Sequence, residues 1–528
     1  MRALINDSLR FSIGAAIRAL GAVVTVVHRL RICFFSYNQN RLVRKYKISD
    51  QTPVRSYGKE LEALVRDAAS SKRDVVRFAM TSGSTGTPKR VLFTRKRLRA
   101  LKLVFSDFYV RSCWAFWIKR TTLYVFSSFS EDESLTSMLL EETRLPSYFS
   151  TLQAPYRVQC HPAVRKLRLK YGDTAVRLWV LTLSNPGVLY STNPSTVSTF
   201  FDELRSNWEF CSKLIRDWWH DCEAFDPDVR HIAHRITSRG STERLAAIAG
   251  SINAQSIDTY APAVTSYICW TGGYVKAFLE RLEKYLPADR YRLIPMYSMS
   301  TETVETIADF RSESVSFLPN APGVLYEFRE KGDVRLLKPH QLEPGHAYSL
   351  IVSDNYGLLR YDTGDVFLCR KRVGNLPDLL FQCRRNLEYS FTGEKLTADQ
   401  VTAAFENTIS LDGNRLSDQF LTCIPSQPDS DPVPHYKVVV VTDGSGVVQQ
   451  SLGNLSKTCD RFFADLNCEY KAKRDSGRLG PVRSVTMTRW DFLKLTTGGK
   501  SESWEGQFKF LPLYVQTWEA MTRMRDEG

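Results

Sequence analysis

The 528-residue chain has no CxxC pair among its 11 cysteines, no internal repeat at a solenoid or propeller period, and no low-complexity tract beyond a few residues. A zinc-finger array, a repeat protein and a disordered linker are thereby excluded. The cysteines are odd in number and scattered from Cys33 to Cys468, which suits reduced thiols rather than a disulfide framework. No small-residue cleavage pattern of a secretory leader stands out. The most apolar early stretch, residues 11–27, is interrupted by Arg18 and followed by Arg29 and Arg31. It reads as an amphipathic helix lying on the body, within an N-terminal helical segment 1–37, and not as a membrane span. The expectation is a cytoplasmic protein with no membrane partner.

What is present is ample apolar material, 43% hydrophobic and 12% aromatic, enough for several sizeable cores. The formal charge of +14 favours anionic partners in general, small anions such as nucleotides and carboxylates included. Neither a recognition helix nor a basic module interleaved with aromatics accompanies that charge, so no nucleic-acid partner is expected. Short β-branched or aromatic runs (Leu123–Phe129, Leu178–Leu183, Tyr348–Ser353) read as strands and alternate with helical patterns (Val197–Trp218, Tyr274–Tyr285), the order of an α/β fold. A turn-rich break at Ser426–Pro434 precedes a strong strand, Tyr436–Val441. The division expected is a large domain over 1–386 and a smaller one over 387–528.

The sharpest local signal is Thr81–Lys89, TSGSTGTPK. Its Thr81, Ser82, Gly83, Ser84, Thr85 and Gly86 let backbone amides and hydroxyls close around phosphate oxygens, and Lys89 adds a point charge. The spacing is not that of the GxxxxGK[ST] nucleotide loop. The string resembles the signature loop of the acyl-adenylate-forming superfamily, and other parts of an adenylation site follow in order. Trp270–Gly273 (WTGG) offers the Gly272 and Gly273 backbone as a surface for a flat base. Met296–Glu302 (MYSMSTE) resembles the Tyr-x-x-Thr-Glu segment of that superfamily with one additional residue between Tyr297 and Glu302. The resemblance implies Tyr297 or Met299 against adenine, Ser300 and Thr301 at phosphate, and Glu302 as the ligand of Mg²⁺, a cation that prefers one or two carboxylates together with nucleotide phosphates. Gly357–Asp365 (GLLRYDTGD) implies Asp365 on the ribose hydroxyls, and Phe381–Thr397 implies a ribose-contacting arginine, Arg384 or Arg385, at a domain hinge.

GLLRYDTGDVF, CRRN, GEKLTADQV, CWTGG, Asn320–Phe328 (NAPGVLYEF) and Asn467–Arg474 (NCEYKAKR) together resemble the auxin-conjugating acyl acid amido synthetases, the Gretchen Hagen family, including its bacterial members. That resemblance runs from roughly Asn38 to Leu513 and implies the adenylate-forming, firefly luciferase-like fold: a large α/β domain carrying the nucleotide site and a small mobile α+β domain. It also implies a two-step reaction. ATP adenylates a carboxylic acid, and the amine of an amino acid then attacks to give an amide and AMP. Gly506–Lys509 (GQFK) resembles the family segment that brings a catalytic lysine, Lys509, from the small domain. An acyl-CoA ligase, with a thiol acceptor, and a non-catalytic binding protein retaining the fold are the competing expectations.

His220, Cys222, His231 and His234 fit no finger spacing and are not expected to bind metal. The basic run Lys89–Lys102 reads as solvated surface. Trp179, Phe200, Phe201 and Trp208 are available to line an acid pocket. Neither the acid nor the oligomeric state is legible in the residues.

Overall fold

The computed structural model describes residues 2–56, 76–80, 90–126, 154–220, 227–250, 256–272, 275–311, 314–330, 332–385, 387–411, 416, 419–428, 430, 433–442, 449–497 and 510–527. Thr81–Lys89, Gly273 and Lys509 lie outside them, as does Cys222.

The chain opens with a long helix, α1 (Arg2–Cys33), continued after a turn at Phe34 by α2 (Phe35–Lys45). A β-hairpin follows, β1 (Val76–Met80) paired antiparallel with β2 (Arg90–Thr94), so residues 81–89 connect Met80 to its cross-strand partner Arg90. The next helix, α3 (Arg95–Ala115), starts at Thr94, whose hydroxyl accepts the Arg97 amide at 3.1 Å and satisfies one of the free donors of the first turn.

Four parallel strands form the first main sheet in the order β3 (Leu123–Val125), β4 (Val188–Tyr190), β5 (Ser266–Trp270) and β6 (Arg292–Met296). The strands β3 and β4 are buried throughout, as expected when helices cover both faces of a parallel sheet. On one face, Leu123, Val188, Ile268 and Ile294 join α3 and the antiparallel strands in a first core. On the other, Tyr124, Leu189, Tyr267 and Cys269 pack against the helices between Ala154 and Tyr260 in a second core.

A short pair, β7 (Ile307–Arg311) with β8 (Ser314–Leu318), leads into an antiparallel sheet ordered β12 (Leu376–Arg384), β11 (Tyr361–Val373), β10 (Ala347–Asp354), β9 (Val324–Glu330). From Tyr361 to Phe367, buried and half-buried residues alternate along β11, the mark of a sheet with one face inward. The two-residue strands β13 (Glu388–Tyr389) and β14 (Leu396–Thr397) then pair, and β15 (Phe420–Ser426), β16 (His435–Thr442) and β17 (Arg483–Thr488) make a final sheet. A third core gathers residues from Leu387 to Met521 and takes one ring from earlier in the chain, Phe278.

Three local expectations are corrected. Leu178–Leu183 lies within the helix Asp173–Ser184, every residue of it buried from Ala175 on; an apolar run enclosed on all sides carries no periodicity to separate helix from strand. Val197–Trp218 is two helices, Pro194–Ser206 and Trp208–His220, interrupted at Asn207. The early apolar helix extends further than 11–27: Phe11–Cys33, with mean hydropathy 1.6, is long and apolar enough by length and composition to cross a membrane.

Candidate active site

The carboxylate, ribose and metal candidates converge where the connection after β6 meets the buried face of β11. Main-chain bonds close that connection into a tight loop. The Glu305 and Thr306 amides donate to the Ser298 carbonyl at 3.0 and 3.1 Å, the Ser300 amide donates to the Thr303 carbonyl at 3.0 Å, and Met299 bridges Val304. The additional residue between Tyr297 and Glu302 is accommodated inside this loop. Glu302 is 3% exposed, its Oε1 accepts the Tyr361 hydroxyl at 3.2 Å, and its main-chain carbonyl accepts from Arg97. Burial and the Glu302 carboxylate push the Tyr361 phenol above its ordinary pKa, so it stays a neutral donor.

Asp365 and Arg384 are direct cross-strand partners on β11 and β12, with Nε and Oδ1 at 4.0 Å. Burial works against the Arg384 charge, but Asp365, Glu302, Tyr361 and Glu305 outweigh it and hold the guanidinium above its usual pKa. The neighbouring arginine is engaged elsewhere. Asp362, on the outer, half-buried face of β11, binds Arg385 at 2.5 Å and Arg329 of β9 at 2.7 Å. Of the two candidates, Arg384 therefore accompanies Asp365 and Glu302. Gly364 between the two aspartates has φ of 78°, a left-handed conformation that glycine adopts without strain.

The loop also brings in Glu305, which the sequence does not single out. It is 2% exposed, its Oε2 accepts the Ser298 hydroxyl at 2.5 Å, and its Oε1 is buried without a hydrogen-bond partner. Burial first, then the adjacent Asp365 carboxylate, push Glu305 well above the ordinary carboxylate range. A proton on one of the two carboxyl groups would relieve the repulsion and give Oε1 a bond to make.

Arg97 is the second residue that sequence reading passes over. Far from being solvated, it is 2% exposed and ties three segments together. It donates to the Leu92 carbonyl of β2 at 3.1 Å and to the Glu302 carbonyl, and lies 3.6 Å from Asp354 at the end of β10. Lys102 is buried as well, so the stretch from Lys89 is not a uniformly exposed basic face. Through Arg97, and through Met299 packing on Ala79, Val91 and Phe93, the hairpin that carries residues 81–89 is attached to the Glu302 loop.

Other candidates are placed differently from expectation. Tyr297 is 2% exposed, meets Phe108 edge to face with centroids 5.4 Å apart, and belongs to the first core, so it cannot lie flat against a base. Met299 and Thr301 are half-buried, with Ser300 beside them in the same loop. Gly272 is close to Trp270 and Phe381: an added Cβ would meet them at 3.1 and 3.2 Å, tighter than ordinary contact. Trp179, Phe200, Phe201 and Trp208 are packed into the second core, Phe201 stacked on Tyr285 at 4.9 Å, and fill the helical layer instead of lining an acid pocket. Among the described residues no group of three or more His, Cys, Asp or Glu could hold a metal ion. The donor set near Glu302 suits a cation that arrives with phosphate oxygens.

Comparison with known proteins fits this geometry. Residues 58–291 match the GH3 family N-terminal domain and residues 318–384 the GH3 family central domain, together more than half of the chain. The "probable indole-3-acetic acid-amido synthetase" of Arabidopsis thaliana is 26% identical over 191 residues, 34% of this chain and 31% of the relative. A jasmonoyl-L-amino acid synthetase of Oryza sativa subsp. japonica is 26% identical over 157 residues, 29% of this chain and 26% of the relative. The matched stretch thus spans between a quarter and a third of the length of these curated relatives. The solved structure of an acyl acid amido synthetase in complex with 2,4-DB superposes with a TM-score of 0.68 at 16% identity, covering 99% of this chain and 93% of that one. The expected fold is therefore the observed one, and the chain belongs to the GH3 family.

Proposed function

We propose that this protein is an ATP-dependent, AMP-forming ligase that adenylates a carboxylic acid and passes the acyl group to the amine of an amino acid. The observation that carries the proposal is the convergence of Glu302, Asp365 and Arg384, distant in sequence, on the inner side of one sheet. Asp365, with Arg384 across the ladder, is arranged to accept the two ribose hydroxyls. Thr301 and Ser300 of the closed loop, with residues 81–89 including Lys89, would bind the α-phosphate. Glu302 would hold Mg²⁺ brought in on the phosphates, and the ion would neutralise charge on them.

The acid's carboxylate attacks the α-phosphorus while pyrophosphate leaves, so donors and positive charge must meet the crowded oxygens. Lys509, from a small domain over 387–528, is the proposed additional donor. In the second step the mixed anhydride is already activated, and the site has chiefly to position a neutral amine and exclude water. The small domain would turn between the two steps. A cytoplasmic location is part of the same proposal.

The test is ATP–pyrophosphate exchange over aromatic, fatty and amino acids, followed by product mass with and without amines. Acid-dependent exchange and an amide product support the proposal. CoA-dependent AMP release without an amine would reassign the chain to thioester formation, and absence of exchange with every acid would leave a binding protein.

A further inference from the structure

The family match begins at residue 58, yet the preceding segment is built in detail and turns an unusual face outward. On its inner side α1 is seated firmly on the body. Gly21 is so close to α3 that an added Cβ would overlap the Val110 carbonyl, Arg18 donates to the Ile118 carbonyl at 2.9 Å, and buried His28 bonds Asp309 at 3.1 Å. The opposite side follows the i, i+3, i+4, i+7 spacing of a single helical stripe. Val23, Val26, Val27, Leu30, Phe34 and Tyr37 are between 41% and 66% exposed. Upstream the same stripe continues through exposed Ser12, Ala16 and Ala19. A soluble helix ordinarily places charge here.

The charge around the stripe has one sign. Between Asp7 and Asp50 there is no carboxylate, while Arg10, Arg18, Arg29, Arg31, Arg41, Arg44, Lys45 and Lys47 fall in that interval. Arg31 is occupied by Asp107 and Arg18 by main chain, but Arg29, Arg41, Arg44 and Lys47 are exposed. Trp114 and Trp117, both partly exposed, flank the inner edge of α1, with Arg18 over the Trp117 ring at 5.3 Å. An apolar stripe with a basic rim is what a helix lying in the interface of a lipid bilayer presents.

We propose that α1 and α2 dock this protein flat on an anionic membrane surface, the stripe from Val23 to Tyr37 entering the headgroup region and Arg29, Arg41, Arg44 and Lys47 meeting lipid phosphates. The bonds from Arg18 and His28 keep α1 parallel to the body, so the helix lies in the plane of the leaflet and does not cross it. A solvent-facing apolar helix of spanning length is thereby reconciled with a body that stays in water. The proposal departs from the sequence expectation of no membrane partner.

The test is co-sedimentation of the full chain with phosphatidylserine–phosphatidylcholine vesicles and with pure phosphatidylcholine vesicles, at low and at high salt. Binding to the anionic vesicles, released by salt, is expected. Arg41→Glu with Arg44→Glu should weaken it at least roughly 20-fold, from about fivefold per basic residue at the surface. Val26→Glu with Leu30→Glu should abolish it; both positions are solvent-exposed, and an unchanged thermal unfolding transition verifies the fold. Salt-resistant binding to neutral vesicles would overturn the proposal in favour of a spanning helix. Absence of vesicle binding would overturn it too, and self-association lost in Val26→Glu/Leu30→Glu would then assign the stripe to a second copy of the chain.

Discussion

The two main sheets of this protein divide the labour of the fold. The parallel sheet β3–β6 is enclosed on both faces, and Val188, Ile268 and Ile294 in it are fully buried. The antiparallel sheet β9–β12 has a comparable apolar interior, yet the buried face of β11 also carries Tyr361, Thr363 and Asp365, paired across the ladder to Arg384. One sheet is an apolar platform. The other holds the buried Asp365 carboxyl beside the part-buried Arg384 guanidinium, the pair assigned above to the proposed nucleotide.

The contrast can be broken at either end. Glu302→Ala should lower ATP–pyrophosphate exchange by roughly 10²–10³-fold, the cost of losing one transition-state charge partner, while the unfolding temperature changes little. Near-normal exchange would remove Glu302 from the site. Ile268→Ala should do the reverse, destabilising the fold by about 2–5 kcal/mol through the cavity left in a tight core, with KM for ATP unchanged in the folded fraction. A raised KM with intact stability would show that the platform is not passive. Asp365→Ala should raise KM for ATP about tenfold, as expected for one charge-assisted hydrogen-bonding group; a defect confined to the acid substrate would contradict a ribose role.

The smallest effect concerns Glu305. Its folded-state pKa lies above the unfolded one, so its contribution to stability is complete below the ordinary carboxylate range and is lost as pH rises through the raised value. Glu305→Gln keeps a neutral donor toward Asp365 and an acceptor for Ser298, and has no proton to lose. The unfolding temperature of the parent chain should therefore fall more steeply toward alkaline pH than that of Glu305→Gln. Parallel curves would mean that no proton is shared there.

What could be read from the residues follows the same division. Asp365, Glu302 and the arginine pair stand in short strings whose order along the chain carries the family resemblance, and the proposed nucleotide would demand just these few groups. Glu305 and Arg97 carry no such mark. Glu305 reaches Asp365 only because the Met299–Val304 loop closes on itself, and Arg97 is buried because β2, β10 and the Glu302 loop all present acceptors to one helix turn. In sequence the first is a spare acid and the second one more charge in a basic run. Tyr297 errs the other way: an aromatic in the expected segment points into the core, against Phe108. Arg384 and Arg385 are separable only in the fold, where strand pairing sets Arg384 opposite Asp365 and Arg385, just past the end of β12, binds Asp362.

Phe278 belongs to the helix Lys276–Glu283, next to the Trp270–Gly272 stretch, yet its ring stacks on Phe420 at 5.7 Å and meets Phe510 at 5.5 Å inside the third core. The rotation proposed for the small domain would have to withdraw that ring, at about 1.5–3 kcal/mol for a phenylalanine returned to water. Under the proposed rotation Phe278→Ala would remove that cost, so the ring biases the small domain toward the arrangement described here.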